Sequence, residues 1–184
     1  MVGFVTRVLG VVVVGLGLAG CITSDQDIGR EIPSVYPLAE GNYELLKRMT
    51  EQPNEVMTIK REGDGYFIAK SDGMEWEPIW FYKPKHLPPD RYIIKAMGPE
   101  PSQGETQEYC YVFGTVIDDS LTVFELNQSK IDAVAPPEIK DMLAKFNNKQ
   151  GRVLDVLVAL ANMEGVWGAA ETYRYVPSQA EMPE

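Results

Sequence analysis

Through the middle of the chain, apolar and polar residues alternate with the period of two that half-buried strands require. Asn42 to Met49 carries Tyr43, Leu45 and Met49 on one face. Val56 to Lys60 and Tyr66 to Lys70 flank Glu62, Gly63, Asp64 and Gly65, a hairpin signal. Ser71, Asp72 and Gly73 form a second turn into Met74 to Tyr82. Arg91 to Met97, Glu108 to Ile117 and Leu121 to Leu126 follow, with Asp118, Asp119 and Ser120 turning between the last two. These are seven strands in succession. Short connections imply antiparallel pairing, because parallel neighbours need crossovers of a dozen or more residues.

The C-terminal third changes period. Ile139, Met142, Leu143 and Phe146 fall at i, i+3, i+4 and i+7, with Pro137 and Glu138 at the start and Lys145 near the end. That is an amphipathic helix closed by Asn147 and Asn148. Gly151 to Met163 is apolar on every face, so period does not separate strand from helix. The reading is a short strand to Leu154, Asp155 as a cap, and a helix to about Met163. Thr172 to Val176 makes a last strand. The expected fold is mainly β (α+β): an antiparallel meander forming a sandwich or small barrel, with one or two C-terminal helices. A weak internal repeat fits this. Leu38 to Tyr43 corresponds to Leu87 to Tyr92 at an offset of 49, Leu45 then falls on Ile94, and Tyr66 to Ile68 answers Tyr111 to Phe113.

The beginning has a different pattern. Arg7 is followed by eleven apolar residues, 8 to 18, then Ala19, Gly20 and Cys21. Eleven residues are too few to cross ~30 Å of hydrocarbon as a helix, which takes about 20. They fit the apolar region of a secretory leader. Leu18, Ala19, Gly20 and Cys21 resemble the lipobox of bacterial lipoprotein precursors. The resemblance implies diacylglyceryl transfer to the Cys21 sulfur, cleavage between Gly20 and Cys21, and acylation, typically with palmitate, of the new amino group. Residue 22 is Ile, not Asp, which in that family implies the periplasmic face of the outer membrane. The expected organisation is a leader over 1–20, a lipidated cysteine and tether over 21–37, a domain over 38–176, and a flexible tail over 177–184. The tether reading rests on Ser, Asp, Gln, Gly and two prolines without apolar period; such a linker spans roughly 20 to 25 Å.

Composition narrows the function classes. Hydrophobic residues make up 45% and charged residues 24%, the mixture of a chain with a core. The net charge of −10 becomes −11 once Arg7 leaves with the leader. So acidic a surface repels nucleic acid and anionic headgroups. The acyl chains on Cys21 would therefore supply the membrane attachment, and no nucleic-acid partner is expected.

Candidate chemistry is sparse. Cys110 lies among aromatics in Tyr109 to Phe113, with no neighbouring cation or His to activate it, and reads as buried and inert unless an oxidising envelope pairs it. His86 is the only histidine, too few for most catalytic zinc sites, and no Gly-x-Ser-x-Gly elbow accompanies it. Asp64, Asp72, Asp118 and Asp119 read as turn residues without calcium-loop spacing. Paired carboxylates for sugar hydrolysis would be a spatial arrangement, and spacing singles out no two. Lys83, Lys85, His86 and Arg91 form a basic cluster able to receive an anionic group, or simply a solvated loop. Trp76 and Trp80 share a strand face and serve either a partner or the core. Gly41, Asn42 and Tyr43 have some similarity to the Gly-x-Trp element of lipocalins, with Tyr in place of Trp. That resemblance implies eight consecutive strands, a helix, and a strand bearing an Arg near its end, with helix 137–146 and Arg174 as loose counterparts.

The sequence therefore points to a membrane-anchored envelope lipoprotein, more a noncatalytic module for a protein or cell-wall partner than an enzyme, with no metal or cofactor expected. Cys21 is the lipidation site; Trp76, Trp80, Lys83, Lys85 and Arg91 are the candidate binding residues. A lipocalin-like carrier of a small apolar ligand is the alternative, and an envelope hydrolase stands third.

Overall fold

The computed structural model describes residues 20–47, 56–70, 77–98 and 100–177. Residues 1–19, Met49, Ser71 to Trp76 and the tail from 178 onward lie outside them. The elements run β1 (Ile22–Ser24), a 3-10 turn (Ile28–Arg30), β2 (Ser34–Val35), β3 (Gly41–Lys47), β4 (Val56–Glu62), β5 (Gly65–Lys70) and β6 (Glu77–Tyr82). They continue with β7 (Arg91–Met97), β8 (Tyr109–Ile117), β9 (Ser120–Leu126), α1 (Gln128–Val134), α2 (Pro137–Asn147), α3 (Val153–Ala161) and β10 (Trp167–Val176).

Strands β3 to β9 form an antiparallel meander, each bonded to the next. β10 returns after the helices and pairs with β9 on one side and β3 on the other, closing an eight-stranded barrel. Closure leaves these eight strands with no long free edge, the feature that makes open sheets prone to aggregate. β10 shifts register against β9 between Trp167 and Ala170, and against β3 between Thr172 and Tyr173. Such bulges add the local twist that closing a sheet needs.

Side-chain alternation then sorts the core into two. The inward positions, among them Tyr43, Met57, Ile59, Tyr66, Ile68, Ile79, Phe81, Ile94, Val112 and Tyr173, pack together inside the barrel. The outward positions of β6, β7 and β8 are covered as well: Tyr82, Ile93, Tyr111 and Phe113 meet Val153, Val156, Leu157 and Leu160 of α3, together with Ile131 of α1. β8 is thus buried on both faces, which is why Tyr109 to Val116 reads as a nearly unbroken apolar run rather than an alternation.

The barrel end where β3, β5, β7 and β9 begin is closed by the strap between β2 and β3. Leu38 joins the inner cluster, and the Tyr66 hydroxyl both donates to the Leu38 carbonyl (2.8 Å) and accepts from its N–H (3.0 Å). Edge-to-face ring contacts link Tyr36 to Tyr66, Tyr66 to Phe81 and Phe81 to Tyr92 across this end. Burial pushes the Tyr43 hydroxyl up to about 12 and raises Tyr66 too, so both stay neutral within the plug.

Five sequence expectations change. Residues 22–37 do not form a free linker: β1 pairs with β8, β2 pairs with β6, and Ile28 is fully buried between them and the helices. The apolar run after Gly151 contains no strand; helix α3 begins at Val153, with Arg152 as its N-cap and Asp155 in the first turn. The last strand starts at Trp167, five residues before Thr172. Helix α1, whose single buried residue is Ile131, carries too few apolar positions to register as a period. The lipocalin-type order of eight strands before the helix is also absent, since seven barrel strands precede the helices and β10 is the eighth.

Candidate functional site

Cys21 sits where the N-terminal strand meets the barrel wall. Ile22, Thr23 and Ser24 pair with Tyr111, Cys110 and Tyr109. β9 leaves β8 beyond the Phe113 to Phe124 pair, and β1 takes the vacated edge. The Leu126 N–H donates to the Gly20 carbonyl at 3.1 Å, so the chain on either side of the Gly20–Cys21 bond is held by the sheet. Alternation sends Ile22 outward with Tyr111, and Cys21 packs against the inner cluster that contains Cys110. Interaction with the Cys110 thiol lowers the Cys21 pKa, while Cys110 is raised by the same interaction and by burial. The first proton leaves the pair more readily than the second.

Just beyond β1 lies a buried cation that sequence reading passed over. Lys95, 4% exposed, lies in the middle of β7 on the face toward the helices. Its Nζ stands 2.8 Å from Asp27 Oδ1, and 4.2, 4.8 and 5.7 Å from the ring centres of Trp80, Tyr109 and Tyr82. Burial alone would raise the Asp27 carboxyl; the bond and charge of Lys95, with the Gly29 N–H, hold it below its ordinary value. The same burial, with Asp27 nearby, raises the Tyr82 hydroxyl. The available signal was a lysine interrupting the apolar run Tyr92 to Met97.

Gln26 completes this corner. Its Oε1 accepts from Val153 N–H (2.8 Å), its Nε2 donates to the Gly151 carbonyl (2.9 Å), and Tyr111 donates to its backbone carbonyl (2.6 Å). Arg152 has no side-chain capping bond, so Gln26, far away in sequence, serves the first turn of α3. An open polar cleft of about 700 Å³ lies here, walled by Ser24, Gln26, Asp27, Glu31, Glu108 and Lys149. Two of its carboxylates already have partners, Asp27 with Lys95 and Glu31 with Arg152.

The basic cluster disperses. Lys83 donates to the carbonyls of Pro88 and Arg91, and its Nζ lies 4.7 Å from the Tyr92 ring centre. Arg91 donates to the Ala161 carbonyl at the end of α3 and stands 5.4 Å from the Trp167 ring centre. Lys85 and His86 are exposed. Two of the four basic groups thus hold the molecule's own loops and helix. A notch of about 220 Å³ beside Lys83 and Tyr92 is smaller than the ~300 Å³ at which small-molecule pockets begin. Trp80 is half-buried under Lys95, its Nε1 donating to Asp64 at 3.0 Å. Trp76 lies outside the described residues. Arg174 meets Glu44 at 3.9 Å on the barrel's exterior, while Tyr43 points inward.

Among the described residues no group of three His, Cys, Asp or Glu side chains is placed to hold a metal, and no helix is long and apolar enough to cross a membrane. Comparison with protein-family models, with curated proteins and with solved structures finds no match.

Proposed function

We propose that this protein is an envelope lipoprotein, anchored through acyl chains on Cys21, whose barrel is a noncatalytic module for a protein or cell-wall partner beside the membrane. The observation that carries the reading is a junction: the lipobox-like residues Leu18 to Cys21 are followed immediately by β1, docked on the barrel. With no free tether between them, an anchored barrel lies against the bilayer with its Cys21 end inward. Two or more acyl chains at ~0.8 kcal/mol per buried CH₂ hold such a domain stably.

The filled interior favours recognition on the outer surface. Tyr43, Tyr66, Phe81 and Tyr173 occupy the space an apolar ligand would need. The closed eight-stranded barrel itself keeps the carrier reading as the alternative. For a hydrolase, the Asp27 carboxyl moves the wrong way, since a general acid needs a raised value.

The test is fractionation of cells making the full chain, with mass analysis of the Cys21 peptide. Detergent-dependent extraction and acyl mass on Cys21 support the reading, whereas an unmodified Cys21 in the soluble fraction rejects it. Native mass spectrometry of the purified protein separates the alternatives: a reproducible added mass of ligand size favours the carrier.

A further inference from the structure

We propose that Cys21 and Cys110 are a disulfide-forming pair that staples β1 to β8 whenever the Cys21 sulfur has not been acylated. The proposal is independent of the anchor reading and competes with it for one sulfur atom. An acylated Cys21 leaves Cys110 as a buried thiol; an unacylated one has Cys110 as its nearest nucleophile.

The geometry rests on the β1 register. Thr23 stands opposite Cys110, so Cys21, two residues earlier, shares its face and lies on the diagonal. Diagonal neighbours in a regular ladder are ~7–8 Å apart, farther than a disulfide spans. Cys21, however, precedes the first ladder pair at Ile22, so ladder spacing does not hold it, and its side chain packs against the inner cluster that contains Cys110. These are the only two cysteines in the sequence.

Exposure fixes the order of steps. Cys110 is 1% exposed and out of reach of any reagent, while Cys21 is partly exposed and is the thiol that loses its proton more readily. The oxidant is a disulfide donor, such as an oxidised dithiol protein or oxidised glutathione. The Cys21 thiolate attacks one donor sulfur, forming a mixed disulfide and releasing a donor thiolate. The Cys110 thiolate then attacks the Cys21 sulfur, the mixed bond breaks, and the second donor thiolate leaves. The protons of the two protein thiols end on the two donor thiols. One disulfide has been exchanged for another, and the two electrons given up by Cys21 and Cys110 now reside on the reduced donor.

The test uses the full chain made by cell-free translation without membranes under reducing conditions, so that neither acylation nor cleavage occurs. After removal of reductant, the chain is exposed to oxidised glutathione and then alkylated in denaturant. The expected product is two hydrogen masses lighter than the dithiol chain and takes up no alkyl group. Its unreduced digest should join the peptides containing Cys21 and Cys110. A chain carrying glutathione, or two alkyl groups, overturns the proposal. Performed in denaturant throughout, closure should slow by at least about tenfold, because the chain must then close a long loop unaided; an unchanged rate also overturns it. With Cys110→Ala, glutathione should accumulate on Cys21, and its absence there rejects the order of attack.

Discussion

Lys95 is the residue this barrel wall has least reason to tolerate, since an ammonium at 4% exposure gives up nearly all its hydration. Asp27 and three aromatic rings replace that water. Lys95→Met should cost about 2–4 kcal/mol in urea unfolding, because it leaves the Asp27 carboxylate without its cation. The pH dependence follows from the lowered Asp27 value. A carboxyl depressed in the folded state contributes stability that is complete above its unfolded pKa, about 3.9, and is lost as pH falls through the lower folded value. Melting temperature should therefore drop in acid below about pH 4. Asp27→Asn should start lower at neutral pH and lose much of that acid slope. The β8–β9 hairpin turns on Asp118 and Asp119, both with positive φ (45° and 60°), a conformation that favours glycine. Asp119→Gly relieves the strain at some cost in unfolded-chain entropy, so a net gain of about 0.5 kcal/mol is expected in the same assay.

At the scale of elements, the N-terminal strap determines how the helices sit. β1 and the 3-10 turn insert Ile28 beneath the helices, while Gln26 satisfies backbone groups at the start of α3. Gln26→Ala leaves the Val153 N–H and the Gly151 carbonyl without that partner, and should cost about 1–2 kcal/mol. Hydrogen exchange should show the loss as faster exchange in the first turn of α3, with the strands of the far wall unaffected. None of this was visible as a pattern: residues 22–37 are polar and proline-bearing because their backbone bonds, rather than an apolar period, fasten them to the barrel. The helix 137–146 was legible because its apolar stripe follows a clean 3.6 period; α3 was misread in part because both its sides are apolar.

For the whole molecule, the offset of 49 between Leu38 to Tyr43 and Leu87 to Tyr92 places β3 and β7 half a barrel apart. Tyr43 with Tyr92, and Leu45 with Ile94, indeed share the inner side. Tyr66 and Tyr111 do not correspond, since one points into the barrel and the other toward the helices. The proposed attachment is also tested at this scale. Cys21→Ser in the full chain should abolish the acyl mass and leave the leader uncleaved, read by intact mass of the membrane-extracted protein, because no acyl chain could then join the sulfur and cleavage follows that acylation. If the variant still carries acyl mass or loses residues 1–20, Cys21 is not the lipidation site.

The sequence by itself determined the meander, the amphipathic helix and the lipobox pattern, because each is written in neighbouring residues: alternation, a 3.6-residue stripe, and four positions ending in Cys21. Tertiary structure alone decided that the sheet closes, that the apparent tether is part of the wall, and that Lys83 and Arg91 hold backbone carbonyls of their own chain. It also brought Asp27 to Lys95 and Cys21 to Cys110, partners 68 and 89 positions apart in the numbering. The physical reason is that local pattern fixes which face of a segment is apolar, whereas what lies against that face depends on strands that arrive from elsewhere in the chain.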